Sequence, residues 1–172
     1  MNICLIQHLY GNEINIKMNT MKKLIFFFSA VIFLSGCMRQ NPQLVKEADA
    51  NKKVVISFFN TALNKRDPIK AVNEISPDAV AHSVKGDTLL KGRTDIAGSL
   101  STFVNAVDNL KFNHEWIYAE GDMVIVRWTV DCTPKINLPD MPAGRPVIIK
   151  GATFFRLIDR KISWLYTYWN FN

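Results

Sequence analysis

The chain has 172 residues and a formal net charge of +6 at pH 7, and 48% of its residues are hydrophobic. This length allows one domain of ordinary size with a real hydrophobic core. The basic residues are scattered rather than clustered, which excludes a nucleic-acid-binding surface and fits a protein attracted weakly to anionic lipid head groups.

The N-terminal region has the layout of a secretory signal. Lys22 and Lys23 precede eleven mostly apolar residues, Leu24 to Leu34, and Leu34-Ser35-Gly36-Cys37 follow. The run is shorter than the ~18 residues of a transmembrane helix and lacks helical periodicity. We therefore predict a signal peptide over residues 21–36 rather than a membrane span or a buried core helix.

The end of this signal resembles the lipobox of bacterial lipoproteins, in which the cysteine is lipidated and becomes the mature N-terminus. The resemblance implies a lipid on Cys37 and an exported protein, periplasmic or at the cell surface, anchored to a membrane. Residues 1–20 would then be an extension or a mis-assigned start. Met21 is the preferred start because Lys22 follows it directly, and Met18 is the alternative.

Cysteine usage agrees with this processing. Cys4 would be absent from the mature protein and Cys37 would carry lipid, so Cys132 remains as a single thiol. One cysteine cannot form an internal disulfide, and packing alone must stabilise the domain. We predict that Cys132 is a small buried hydrophobic side chain within a strand.

Helices are predicted first along the mature chain. Residues 37–46 form a polar tether, and one domain follows over residues 47–172. A first helix from about Val45 to Asn64 has a wide apolar face at helical spacing. Asp67-Pro68 is typical of the N-cap and first-turn proline of a short second helix. A third helix begins with Thr94 as N-cap, and its apolar face comprises Ile96, Leu100, Phe103, Val104 and Val107.

A short strand could form at Ala79 to Val84, and the longer strands are predicted from Leu110 onward, where the hydrophobic period changes to two. The first long strand places one set of side chains on a single face: Phe112, His114, Trp116 and Tyr118. The next strand has a purely apolar inward face: Val124, Val126, Trp128 and Val130. The last strand, Ile162 to Phe171, is bulky on both faces, so one face should meet the helices and the other could meet a partner subunit.

Helices followed by antiparallel strands indicate an α+β fold. Their order resembles the nuclear transport factor 2-like fold and is most similar to the SnoaL-like polyketide cyclase group, over nearly all of residues 47–170. The resemblance implies a cone-shaped, strongly curved antiparallel sheet wrapped around about three N-terminal helices. The matching pieces are Phe58-Phe59-Asn60, Ala81-His82-Ser83, Gly92-Arg93, Ala119-Glu120-Gly121-Asp122, Val126-Arg127-Trp128-Thr129, Pro142 to Val147, Gly151 to Arg156 and Arg160-Lys161-Ile162.

The resemblance also implies a mostly apolar pocket. Cyclases of this group use a pocket aspartate as acid and base, assisted by a histidine, without a metal or an organic cofactor. His82 matches that histidine. Positions that often carry acids in the family are neutral here, at Thr153, Thr167 and Asn170. Threonine cannot act as a general acid or base near neutral pH, so it stays open whether this chain is an enzyme.

The candidate ligand-binding residues are Phe58, Trp128, Thr153, Phe155, Thr167 and Trp169. Inward aromatic residues can equally be plain core. His82 is the candidate catalytic residue, because histidine changes charge close to neutral pH. The alternative, a buried histidine satisfied by a hydrogen bond, is favoured because no partner acid is identifiable. For His114 we expect a packing role.

Three functions are therefore considered. The first is binding of a small apolar or aromatic molecule by a lipoprotein held at a membrane through Cys37. The second is a cofactor-free cyclase, isomerase or hydrolase with a degenerate site around His82. The third is a dimeric protein-interaction module whose cavity is filled by its own side chains. No metal-ligand spacing, phosphate-binding glycine loop or Gly-x-Ser-x-Gly nucleophile motif is present.

Overall fold

The computed structural model describes residues 42–83, 88–138 and 141–171. The lipidation candidate Cys37, the signal peptide and the N-terminal extension lie outside these residues. The helices are α1 (Pro42–Phe59), which continues into a π-helical turn (Asn60–Asn64), α2 (Pro68–Ala71), which continues into a 3-10 turn (Val72–Glu74), and α3 (Gly92–Ala106). The strands are β1 (Ile75–Ser83), β2 (Thr88–Lys91), β3 (Val107–Glu120), β4 (Met123–Pro134), β5 (Val147–Ile158) and β6 (Lys161–Phe171).

All six strands belong to one curved sheet in the order β2-β1-β6-β5-β4-β3. This arrangement confirms the predicted α+β fold class. The sheet is mixed rather than wholly antiparallel, since β1 and β6 run parallel while the other four neighbouring pairs are antiparallel. A parallel pair requires a crossover connection, and here α3 and four further strands separate β1 from β6 along the chain.

The core lies between α1 and the inner face of the sheet. Phe59 of α1 stacks on Phe112 of β3, with ring centroids 4.5 Å apart, and meets Phe155 of β5 edge-on at 5.4 Å. The predicted inward face of β4 is confirmed, since Val124, Val126, Trp128 and Val130 are all buried. Cys132 continues that row and is also buried, as predicted.

Two helix starts differ from the sequence prediction. The helix α1 begins at Pro42, so residues 42–46 of the predicted tether are helical. The helix α3 begins at Gly92 with Lys91 as N-cap, three residues before the N-cap expected at Thr94. The Asp67 N-cap of α2 is confirmed, because its carboxylate accepts a hydrogen bond from the backbone N–H of Lys70 at 2.9 Å.

A bulge in β3 overturns the predicted single face of Phe112, His114, Trp116 and Tyr118. His114 pairs with Trp128 and Trp116 pairs with Arg127, so Glu115 is an extra residue without its own partner. Such an insertion shifts the alternation of side chains by one position. Phe112 is therefore buried while Trp116 is exposed. His114 precedes the bulge and is also exposed, which contradicts its expected packing role.

Candidate functional site

A cavity of about 370 Å³ opens among α1, α3 and the inner face of the sheet. Its walls are mostly aliphatic and aromatic. The seven residues that the sequence nominated all line it: Phe58, His82, Trp128, Thr153, Phe155, Thr167 and Trp169. The structure therefore brings the candidate residues of α1, β1, β4, β5 and β6 together around one space. Whether this space takes a ligand stays a prediction.

A chain of three polar side chains crosses the sheet side of the cavity. The indole Nε1–H of Trp128 donates a hydrogen bond to Thr153 Oγ1 at 2.9 Å. Thr153 Oγ1 lies 3.1 Å from Thr167 Oγ1, and either hydroxyl can donate in that pair. Thr153 is only 1% exposed, and a buried hydroxyl and indole need such partners to offset the loss of water. The chain therefore holds both threonine hydroxyls at fixed positions on the cavity wall.

Gly151 makes this arrangement possible. It faces Trp128 directly in the β4–β5 pair. A Cβ added at Gly151 would lie 2.3 Å from the Trp128 ring atom Cζ2 and 2.6 Å from the backbone oxygen of Tyr168. Because real Cβ atoms do not approach other atoms so closely, only glycine lets the indole lie across β5 with its Nε1–H on Thr153.

No carboxylate lines the cavity among the described residues, and no lysine or arginine does so there. Thr153 and Thr167, which stand where the family often has acids, contribute neutral hydroxyls. Asn170 is exposed and neighbours the cavity-lining Trp169 along β6, so it lies on the outer face of the sheet. The described part of the site can therefore offer neutral hydrogen bonds and apolar contacts, but no general acid or base of the aspartate type.

His82 borders the cavity, yet its ring packs elsewhere. The imidazole stacks on Tyr166 with centroids 5.5 Å apart and lies 6.2 Å from the Trp164 ring. Neither aromatic residue lines the cavity, whereas Ala81 and Leu165, their neighbours along β1 and β6, do. Successive strand residues face opposite sides, so the side of the imidazole that stacks on Tyr166 is directed away from the cavity, while His82 also contributes to the cavity lining.

Helix α3, strand β2 through Leu90, and the proline-rich loop between β4 and β5 (residues 135–146) contribute cavity residues that the sequence did not nominate. Helix α3 supplies Ser99, Leu100 and Phe103; the apolar face predicted for that helix contained the last two, but as core. The proline-rich loop supplies Met141, which is 6% exposed and paired with Leu138 by an isolated bridge. The sequence signal for the loop was its prolines, which predict irregular structure and give no indication of which side chain turns inward.

The remaining titratable candidates lie away from the cavity. Ser76 donates a hydrogen bond to the Asp78 carboxylate, which lowers the pKa of that exposed group. Both residues lie within β1, whereas the sequence predicted a turn at Asp78 after Pro77. Burial raises the pKa of the Cys132 thiol, and the nearby Asp131 adds to the effect. Arg127 forms an ion pair with Glu115 at 2.6 Å on the outer face.

The described residues contain no group of three or more histidine, cysteine, aspartate or glutamate side chains placed to hold a metal ion. None of the helices in those ranges combines the length and the apolar composition that crossing a bilayer requires.

Comparison with known families now identifies the domain. The family model of the SnoaL-like polyketide cyclases matches residues 53–170. The chain belongs to this family. A second model, the prokaryotic membrane lipoprotein lipid attachment site, matches residues 21–37. This SnoaL-like protein is thus a membrane-anchored exported lipoprotein, as the lipobox predicted. No curated protein sequence matches the chain.

Solved structures agree on the fold. A Jannaschia sp. CCS1 protein named after the SnoaL-like polyketide cyclases is 17% identical with a TM-score of 0.66, over 77% of this chain and 91% of that one. An LEH-like epoxide hydrolase from M. tuberculosis is 19% identical with a TM-score of 0.58, over 72% and 85%. An NTF2-like protein from Burkholderia thailandensis is 16% identical with a TM-score of 0.59, over 70% and 90%.

Proposed function

We propose that this lipoprotein binds a small apolar or aromatic molecule in the cavity between α1, α3 and the sheet. The observation that carries the proposal is the composition of that cavity. Its volume of about 370 Å³ lies within the ~300–1,000 Å³ of typical ligand sites, which are mostly apolar with a few fixed polar groups. The Trp128, Thr153 and Thr167 side chains are such a polar group.

Binding is favoured over catalysis because the described cavity wall lacks a carboxylate. Solved relatives include enzymes by name, such as the epoxide hydrolase, but at below 25% identity they share the fold alone. A general base must lie within hydrogen-bonding reach of the proton it removes. Thr153 and Thr167 occupy the wall where such a base would be needed.

Native mass spectrometry of the purified mature lipoprotein tests the proposal. We expect the protein to retain a small molecule and to release it on denaturation in chemically unaltered form. Leu100→Trp, which places a large ring in the cavity, should abolish retention, while Ile158→Trp on an exposed position should leave it unchanged. Equal retention by Leu100→Trp and the wild type would contradict the proposal.

The competing function is a cofactor-free cyclase, isomerase or hydrolase with its site at His82. It predicts that His82→Ala abolishes turnover of an enolisable ketone or ester while the thermal unfolding midpoint stays close to that of the wild type. Full activity of the variant on a confirmed substrate would end this alternative. Release of the retained molecule in a chemically changed form would support an enzyme instead of a binder.

A homodimer through the outer sheet face is a separate proposal. Several apolar side chains are exposed there, with Trp116 47%, Tyr118 54% and Tyr168 47% accessible. If these residues form the interface, light scattering should give a dimer for the wild type and a monomer for Tyr168→Glu. The third function considered above, an interaction module with a filled interior, is disfavoured by the open cavity.

The location of the anchored protein is a separate question. Protease treatment of intact and permeabilised cells would distinguish the cell surface from the periplasm.

A further inference from the structure

The helix α1 runs past one end of the sheet. Beyond its C-terminal end, Asn64 of the π-helical turn bonds to the backbone of Phe112 inside β3. Further back, the side-chain amide of Asn51 donates a hydrogen bond at 3.0 Å to the carbonyl of Gly121, in the turn between β3 and β4. Pro42 lies roughly 13 Å further along the helix axis, at 1.5 Å per residue. The first turns of α1 therefore project beyond the sheet.

The face of α1 that packs on the sheet continues into this projecting part. Leu44, Ala48, Asn51 and Val55 have the spacing of a single helix face. The last three are buried, whereas Leu44 is 52% exposed and the adjacent Val45 is 42% exposed. Residues 42–47 are all exposed. Two apolar side chains thus lie on a part of the helix that the described domain does not cover.

The lipid attachment site is close to these side chains along the chain. It ends at Cys37, and α1 begins at Pro42. The five residue steps between Cys37 and Pro42 span at most ~18 Å, even when fully extended. Because the lipid holds Cys37 at the membrane surface, the start of α1 can lie no further than this from the bilayer.

The cavity lies toward the other end of the sheet. The β5–β6 turn is beside the β3–β4 turn, since the backbone N–H of Leu157 donates to the carbonyl of Asp122 at 2.8 Å. Leu157 and Ile162 are buried next to these turns but do not line the cavity. Trp169 does line it, roughly 26 Å along β6 from the start of that strand, at ~3.3 Å per residue. The half-buried Trp169 and the exposed Ser99 of α3 lie at its rim.

We propose that the projecting start of α1 lies in the head-group region of the membrane that holds the Cys37 lipid, so that the cavity opens away from that membrane. Leu44 and Val45 face the acyl chains, as the apolar side chains of interfacial helices do. Lys46 is exposed beside them, but the exposed Glu47 follows it. Apolar contact and the short connection, rather than attraction to anionic lipids, therefore set the orientation. A molecule that enters the cavity comes from the aqueous side and not from the bilayer.

Fluorescence quenching tests this orientation on the mature lipoprotein, with one copy in each phosphatidylcholine nanodisc. An NBD fluorophore is attached to Glu47→Cys in α1 or to Ile136→Cys, which replaces an exposed residue after β4 at the opposite end. Cys132 is buried, and wild type treated with the same reagent measures its background labelling. A nitroxide on the lipid head group should quench the label in Glu47→Cys several-fold more than that in Ile136→Cys. Iodide in the buffer should give the reverse order.

The apolar contact is tested by adding Leu44→Ser and Val45→Ser to the labelled Glu47→Cys protein. Quenching by the lipid nitroxide should fall several-fold, because the connection to Cys37 lets α1 leave the surface once the two apolar side chains are lost. Ile148→Ser is the matched control, since Ile148 is a 44% exposed residue near the start of β5, at the other end of the sheet. It should leave the quenching unchanged.

Three results would overturn the proposal. Lipid quenching that is equal at the two labels, or stronger in Ile136→Cys, would mean that α1 is not the part held at the membrane. An unchanged signal after the two serine substitutions would mean that Leu44 and Val45 do not contact lipid. Protection of the Glu47→Cys label from iodide without lipid quenching would mean that a second copy covers the helix. No probe occupies the cavity in these measurements, so the proposed binding function is tested separately.

Discussion

The inner and outer faces of the sheet carry different kinds of polar side chain. On the inner face, Trp128, Thr153 and Thr167 are neutral and bonded to one another. On the outer face, aromatic rings such as Tyr166 and Tyr168, 4.9 Å apart, stand beside the exposed ion pair of Arg127 and Glu115. The same strands supply both surfaces, so the alternation of side chains separates a neutral interior from a charged, aromatic exterior. Three pairs of substitutions and one single substitution measure that difference.

The largest difference in the free energy of unfolding should be found between substitutions of two neighbouring phenylalanines of β5. Phe155 is fully buried and meets two phenylalanines of α1, whereas Phe154 is half-buried on the outer face beside Tyr168. Phe155→Ala should lower the free energy of unfolding by about 4 kcal/mol, because it leaves a cavity in the core. Phe154→Ala should cost far less in urea unfolding followed by tryptophan fluorescence. Equal losses would mean that the outer face is itself buried, as in a stable dimer.

Substitution of glycine by alanine should have opposite effects on the free energy of unfolding at Gly151 and at Gly98. At Gly151 the new methyl collides with the Trp128 ring and the Tyr168 backbone, so Gly151→Ala should destabilise the fold by about 3 kcal/mol. Gly98, exposed within α3, has open space around it. Gly98→Ala should stabilise the fold by about 0.5–1 kcal/mol, because alanine favours the helix. A tolerated Gly151→Ala would show that the Trp128 indole does not lie on β5.

The hydroxyl of Thr153 on the inner face should contribute more to the free energy of unfolding than the hydroxyl of Thr129 on the outer face. Thr153→Val keeps the side-chain shape but leaves the buried Nε1–H of Trp128 without its acceptor, at a cost of about 2 kcal/mol. Thr153→Ser keeps the hydroxyl and should retain the Trp128 bond. Thr129→Val should change the free energy of unfolding by less than ~0.5 kcal/mol. A neutral Thr153→Val would imply that Trp128 finds another acceptor.

The smallest effect is expected for the outer ion pair. Side chains of Arg127 and Glu115 are 58% and 36% exposed, so solvent screens their attraction and Glu115→Gln should cost less than ~1 kcal/mol. Repeating the unfolding in 1 M salt should remove most of that difference. A larger cost that persists at high salt would indicate that the pair is buried, for example against a second copy.

Much of the fold followed from local pattern. The apolar inward row of β4 and the Asp67 cap were predictable because alternation and capping depend on residues a few positions apart. The candidate cavity residues Phe58, Trp128 and Thr153 came from resemblance to the family. Met141 was missed, since a loop without period carries no signal for which side chain turns inward. The stacking of the His82 ring on Tyr166 had no local sequence signal, because this neighbour across the parallel β1–β6 pair is distant in sequence.

By itself, the sequence determined the lipoprotein signal, the α+β class and the neutral character of the positions at Thr153 and Thr167. Composition, charge and strand alternation are local properties, and no later packing changes which residues the chain contains. Tertiary structure alone decided that Trp128, 25 positions before Thr153, donates to it, and that Thr167 completes the chain. Strand register and the space beside Gly151 set those distances, and register is fixed only when remote segments pair and pack.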